Sequence, residues 1–556
     1  MRSIIKSLSE HGTFVQPDTL EYILSKDDPK EFTSLIVKRL REYPLVLTVE
    51  QVKNIEQETK IKDIPKPCTD FIEKKKSQEK MLSTIYNDVL QTEIYLEEND
   101  LEYDDSDKDD QIYLPEEVTE GVVAPKLIEI KKIKGWKPPS LEYNPEIEIV
   151  KDITGKSTCE GKTGDFTKLF LNRYGVLRKI LRSQRREMAN VIPINRIKRG
   201  GIKDIQIVGI IKDVRTTKNG HKLIEIEDET GTAAAIILKD NREGTKMASE
   251  IILDEILGIK CQLSKDGDLL IVQSIVFPDI SIQNDRHRSE VPVCAAFLSD
   301  IHIGSKQFME TEWRAFLRWI NGETGNSRQK DVAGKIKYLV IPGDAVDGIG
   351  IYPNQDKELS IVDVYRQYES LAEKLQLIPD HISIILQPGN HDAVRPAEPQ
   401  PAFEKEIQDL FSGKDIIFVG NPCYFSLHGV EVLSYHGQSL LDFATNIQCL
   451  RYNEPLEIMK IMLKKHHLSP FYGGYTPLAP EHLDYMVIDK VPDIFVTGHV
   501  HLATIGEYRG VTLINASSWQ SQTSYQKMLN FIPDPAKLPI ADLKTGNVTM
   551  MDFNGK

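Results

Sequence analysis

The sequence has no run of about 18 uncharged apolar residues, so a membrane-spanning helix is not expected. Its first residues, Met1-Arg2-Ser3-Ile4-Ile5-Lys6, lack the apolar stretch and small-residue cleavage site of a secretory signal. Cysteine is sparse. Cys68, Cys159, Cys261, Cys294, Cys423 and Cys449 are scattered without a CxxC pair, which argues against a zinc ribbon or disulfide framework and for a reducing cytoplasm. Positive charge is in deficit too: 69 Lys and Arg stand against 83 Asp and Glu, a formal net charge of −14. A protein that gripped nucleic acid alone would show the opposite balance, so any such substrate is held locally or through a partner. One long stretch, Ile205 to Val276, has no Phe, Tyr or Trp at all.

At 556 residues the chain exceeds what one hydrophobic core supports, and several domains are expected. Residues 1–58 carry helical spacing in Ile4, Ile5 and Leu8, in Leu20, Ile23 and Leu24, and in Phe32, Leu35 and Ile36. With Asp18 and Asp28 as caps, this predicts a small helical N-terminal module that docks or stabilises. Residues 59–165 lose the pattern. An acidic run from Glu97 to Asp110 and Pro-spaced pieces such as Lys137-Pro138-Pro139 bury too little apolar surface to fold, and a flexible acidic linker is expected.

Residues 166–285 open with a basic amphipathic helix. Phe166, Phe170, Tyr174, Leu177 and Leu181 share one face, and Lys168, Arg173, Arg178, Lys179, Arg182, Arg185 and Arg186 surround it. Packing of the apolar stripe on a neighbour is the plainer expectation; a nucleic-acid or partner contact is the sharper one. Five strands follow at 205–214, 222–227, 233–238, 257–263 and 269–276, with Asn219-Gly220 and Asp266-Gly267 as hairpin turns. Five short antiparallel strands suit an OB-fold barrel. Without aromatic residues to stack on bases, its expected role is structural.

Residues 286–556 carry the chemistry. Five apolar, β-branched runs each stop at a motif of metal-ligand residue types: Asp300-Ile301-His302, Gly343-Asp344 with Asp347, Gly389-Asn390-His391-Asp392, His436-Gly437, and Gly498-His499-Val500-His501. Such runs read as buried strands of an α/β domain, and ligands bind at the carboxyl ends of strands. Carboxylate, imidazole and amide oxygen together favour Mn²⁺, Fe or Zn²⁺ over a thiolate metal. Two divalent ions need a bridging carboxylate, and Asp344, behind the flexible Gly343, is the candidate. Asp300 and His302 point the same way along an extended segment and share one ion. His499 and His501 are far enough apart to serve different ions. Asp347 is expected to support its loop, and Asp392 to cap the next segment or orient His391. His391, beside the ligand Asn390, is placed to protonate a leaving group without binding metal. The reaction class is phosphoester hydrolysis with two metal ions.

With these motifs placed, the C-terminal half resembles the calcineurin-like metallophosphoesterases, a superfamily that includes double-strand-break repair nucleases. The resemblance implies Asp300, His302, Asp344, Asn390, His436, His499 and His501 as metal ligands and His391 as the catalytic residue; no ligand is missing. A narrower likeness joins three segments: Gly389 to Arg395 continuing through Ala397-Glu398-Pro399-Gln400-Pro401, His467-Leu468-Ser469-Pro470-Phe471-Tyr472-Gly473, and Trp519-Gln520-Ser521-Gln522-Thr523. These resemble the small subunits of archaeal family D DNA polymerases, as does the order of helical module, acidic tether, OB-fold and phosphoesterase. That likeness implies a proofreading 3′→5′ exonuclease with two divalent ions, bound to a large catalytic polymerase subunit and acting on single-stranded or frayed 3′ ends of DNA. The B-subunits of eukaryotic replicative polymerases share the layout but have lost the ligands, so a non-catalytic scaffold is the alternative. A phosphatase or cyclic-nucleotide phosphodiesterase for small substrates ranks last, because it leaves the barrel and helical module unexplained.

Overall fold

The computed structural model describes residues 136–555 except 198–203, 265–266, 268 and 283–284. It also describes Phe14, Val15, Thr19, Tyr22, Ile23, Lys26, Phe32, Thr33, Ile36, Val46, Leu47 and Val52. Residues 1–85 form one compact unit and 86–556 another. In the first, Thr19, Tyr22-Ile23, Phe32-Thr33, Ile36 and Val52 are helical, with Ile23, Phe32 and Ile36 at positions where the spacing predicts helix, and Phe14–Val15 pairs in parallel with Val46–Leu47. The rest of the expected helical module, Asp18 and Asp28 included, lies outside the described residues. So does 59–135 of the expected linker.

The linker expectation fails from residue 136 onward. Pro139–Glu142 forms a 3₁₀ turn, and Ile147–Lys151 is a strand that pairs antiparallel with Cys423–Leu427. The Pro-rich composition hid it, because an edge strand needs only one hydrogen-bonded neighbour and one apolar face.

Two six-stranded sheets make the body of this unit. The first runs in the order Ile416–Phe418, Ser383–Gln387, Ile336–Pro342, Cys294–Phe297, Lys537–Asp542, Val548–Asp552, its first four strands parallel. The second runs Thr504–Tyr508, Val511–Asn515, Ile494–Thr497, Val430–Ser434, Cys423–Leu427, Ile147–Lys151. Alternation of side chains sorts the core into layers. Ala295, Phe297, Tyr338 and Val340 face Phe425, Val432 and Val496 of the other sheet, whereas Ala296, Leu298, Leu339 and Ile341 pack on Phe316 and Leu371 from the helices Glu310–Ile320 and Val364–Gln376. On the far side, Leu433, Phe495 and Leu513 meet Phe443 and Met459 of the helices Leu440–Asn446 and Pro455–Lys465. Burial on both faces is why these strands read as continuous apolar runs.

Ile205–Thr216, Lys222–Asp228, Gly231–Ile237, Ile256–Leu263 and Leu270–Val276 close a five-stranded barrel around Ile207, Ile224, Ile226, Leu257 and Ile259. One expectation is corrected: the strands are not all antiparallel, since Ala235 and Ile236 pair in parallel with Leu270 and Ile271 to close it. Gly220, at φ +81°, turns the first hairpin; Asp266 of the second lies outside the described residues.

The basic helix spans Thr163–Gln184 and packs Tyr174, Leu177 and Leu181 on Val208, Ile256 and Val276 of the barrel. Phe166 and Phe170 lie at its edge, half-buried, and stack edge-on against Tyr472. Arg173 is no solvated cation. It is fully buried, donates from Nε to Asp484 Oδ2 at 2.7 Å and from Nη1 to the carbonyls of Asp254 and Pro470, and so ties helix, barrel and sandwich together. Among the described residues no helix is long and apolar enough to cross a membrane.

Candidate metal centre

Every motif singled out in the sequence sits just past the carboxyl end of a strand. Asp300 and His302 follow Cys294–Phe297, Asp344 follows Ile336–Pro342, and Asn390 follows Ser383–Gln387, three neighbours in the first sheet. His436 follows Val430–Ser434, and His499 and His501 follow Ile494–Thr497, two neighbours in the second. The two sheets thus deliver their polar ends to one place. Asp300, His302, Asp344, His499 and His501 all have φ between 51° and 66°, a left-handed conformation that ordinary residues avoid. Strain of this kind persists where surrounding structure enforces it, and it clusters at functional sites.

Among the described residues the donor atoms converge in three groups, Asp300 with His302 and His501, Asp344 with His436 and His499, and His302 with Asp347 and His391; within each, all ligand atoms lie within 4.8 Å of one another. Asp344 Oδ2 is 3.2 Å from His436 Nε2 and 3.9 Å from His302 Nε2, so it faces the first two groups. Asn390 Oδ1 lies 2.9 Å from His436 Nε2. His302 Nε2 and His501 Nε2 stand 3.1 Å apart, as do His499 Nδ1 and His436 Nε2 at 3.2 Å. Imidazole nitrogens brought this close repel as lone pairs unless a proton or a cation sits between them. Together with two carboxylates and an amide oxygen, they fit a pair of divalent cations.

The buried carboxylates draw positive charge into the site. Burial disfavours the Asp344 carboxylate, yet the charges of His436 and His391 outweigh it and hold its pKa well below the ordinary value. Burial likewise opposes protonation of His436, but Asp344 raises it to about 10. His499 is pushed down to about 3 by burial and by its neighbour His436. Anions and imidazoles here balance one another in a largely buried space.

Supporting contacts orient the donors. His302 Nδ1 bonds Asp347 Oδ1 at 3.0 Å and His436 Nδ1 bonds the Pro342 carbonyl at 3.0 Å, which turns each Nε2 lone pair inward. Asp347 also accepts from Gln355 and Gln520, so its carboxylate is saturated by partners. His391 Nδ1 bonds the Asp347 carbonyl at 2.8 Å, leaving Nε2 as its free nitrogen. Asp392 does not orient His391. Its carboxylate accepts from the backbone of Ala345 and Gly389 and from the Tyr368 hydroxyl, tying two ligand loops together. Burial and Asp344 raise its pKa to about 7. Gly389 has no freedom to change, because a Cβ there would lie 2.6 Å from the Asp344 amide nitrogen.

Sequence reasoning missed Gln355, Gln520 and Gln526, the last reaching His501 Nδ1 at 3.1 Å. Gln520 lies within the Trp519-to-Thr523 motif, but nothing in the motif gave it a role. Neutral amides have no charge signature, and only the fold brings them into place.

A buried site of this donor set on a two-sheet scaffold with an attached barrel defines a class, and comparison with known sequences agrees. The family of DNA polymerase alpha/epsilon B-subunits matches residues 295–505, which span the first four ligand motifs and His499 and His501. The DNA polymerase II small subunit of Archaeoglobus fulgidus is 43% identical over 442 residues, 77% of this chain and 87% of that one. Those of Methanocaldococcus jannaschii and Methanothermobacter thermautotrophicus are 42% and 40% identical, over 73% and 76% of this chain and 68% and 86% of theirs. The chain belongs to the small subunits of archaeal DNA polymerase II, the family D polymerases.

Proposed function

We propose that this chain is the 3′→5′ proofreading exonuclease subunit of a two-subunit archaeal replicative DNA polymerase, built as an OB-fold joined to a calcineurin-like phosphoesterase. Its partner is the large catalytic subunit, and its substrate is the single-stranded or frayed 3′ end of DNA. The observation that carries this reading is the convergent donor set, six side chains in two groups with Asp344 facing both and Asn390 beside His436. A scaffold that needs no chemistry has no use for five ligand residues held at unfavourable φ.

Asp300, His302 and His501 would hold one divalent ion, and Asp344, Asn390, His436 and His499 the other, with Asp344 shared. Two such ions supply charge neutralisation at phosphorus and activation of water. His391, whose Nδ1 is anchored on the Asp347 carbonyl, presents Nε2 to protonate the departing 3′ oxygen. Asp344 and Asp347 raise its pKa against the effect of burial.

Incubation of the purified chain, alone and with the large subunit, with Mn²⁺ and DNA labelled at either end tests the reading. Stepwise release of mononucleotides from the 3′ end is expected, and Asp344→Asn should reduce it by several orders of magnitude while the fold survives. No release from the complex with Mn²⁺, Mg²⁺ or Zn²⁺ would establish the scaffold role instead.

A further inference from the structure

The barrel lacks aromatic side chains, but the metal centre has them at its rim. Tyr352 lies on the loop after Asp347, with its ring 6.4 Å from that of His391, and it stacks on Tyr525 at 5.9 Å and 24°. Tyr525 belongs to the short helix Ser524–Met528, whose Gln526 touches His501. Across the site, Tyr452 lies 6.5 Å from His499 and packs on Phe531. The segment from Tyr525 to Phe531 therefore arches over the donors and is tied back through the Asp534 amide to the His501 carbonyl at 2.8 Å. It also leaves Met528 70% and Ile532 75% exposed, a greasy surface beside a polar site. The Tyr352 hydroxyl is buried and has no hydrogen-bond partner among the described residues.

We propose that the stacked Tyr352–Tyr525 pair is a platform for the terminal nucleobase of a single strand, engaged while the adjoining phosphodiester occupies the metal centre. The inference rests on the nuclease reading and deepens it by naming what the site selects. A phosphoester centre needs anionic oxygens, and a π-face at its rim suits a flat, apolar group one sugar away; a nucleotide has both. Every base has such a face, so the platform is indifferent to sequence. In a duplex the terminal base is paired and stacked inward, and freeing it costs unpairing energy that a mismatched end has already lost. The platform thus favours unpaired ends without reading the mismatch itself.

The test is a titration of the full-length chain in EDTA with an oligothymidylate ending in 3′ 2-aminopurine, read by fluorescence quenching and anisotropy. Binding should quench the probe in the wild type. Tyr352→Ala with Tyr525→Ala should remove the quenching and weaken binding by about 5- to 150-fold, the range for loss of one base–aromatic stack. The paired Phe substitutions should restore both. An oligonucleotide with an abasic 3′ end should bind the wild type and the Ala variant equally. Equal quenching and affinity in the wild type and the Ala variant, or no quenching by the wild type, overturns the platform. Normal quenching with no nucleotide release in Mn²⁺ leaves the platform standing and overturns the nuclease reading alone.

Discussion

Asp347 shows how much a residue can matter without touching a substrate or an ion. Its carboxylate accepts from His302 Nδ1, Gln355 and Gln520, and its carbonyl accepts from His391. Asp347→Asn turns an acceptor that fixes the His302 tautomer into a group that can donate to it. The expected result is a loss of about 10- to 100-fold in Mn²⁺ affinity, measured by calorimetry, with the circular dichroism spectrum unchanged. Glu398 is a different case. It is fully buried, bonded by Tyr435 at 2.9 Å and Asn421 at 3.3 Å, and burial raises its pKa to about 8. The folded state therefore keeps its proton where the unfolded chain releases it, and stability falls as pH rises from about 4.5 to about 8. Glu398→Gln mimics the protonated form. Thermal unfolding of the variant should lack this decline, leaving it more stable than the wild type at pH 8 by a few kcal/mol at most. Parallel pH profiles for the two proteins would refute the assignment.

At the scale of elements, the sequence was most legible where an apolar run ends in a chemically unusual residue. The seven candidate donors and His391 stood out that way, because buried parallel strands are uniformly apolar and their ends are conspicuous, and the structure brings them together. The barrel strands were legible for the same kind of reason, through short runs and Asn219-Gly220. Legibility failed where tertiary context overrides composition. Nothing near Arg173 in sequence marked it as buried, because its partner Asp484 lies 311 positions away. The strand Ile147–Lys151 was hidden among prolines and acidic residues, although Asp152 accepts from the Gly420 amide and Ser157 bonds Glu481. That strand revises where the tether ends. Removal of residues 1–135 should leave the barrel and sandwich folded, with a melting temperature near that of the full chain. Removal of 1–160 strips the edge from the second sheet and should lower it by several degrees in differential scanning fluorimetry. Equal melting of the two truncations would mean the strand adds nothing.

For the whole molecule, the donors divide between sheets: Asp300, His302, Asp344 and Asn390 come from the first, and His436, His499 and His501 from the second. Ions held by this set would be clasps across the sandwich, bound only by the folded state. Mass action then couples occupancy to unfolding, by about 2.7 kcal/mol when free Mn²⁺ is 100 times its dissociation constant. Melting temperature should climb with the logarithm of Mn²⁺ concentration, and Asp344→Asn should flatten the slope. A wild-type slope of zero would mean that the folded state binds no Mn²⁺. Because heat capacity and melting report binding without turnover, the clasp can be weighed in variants that cleave nothing, and affinity can be separated from chemistry residue by residue.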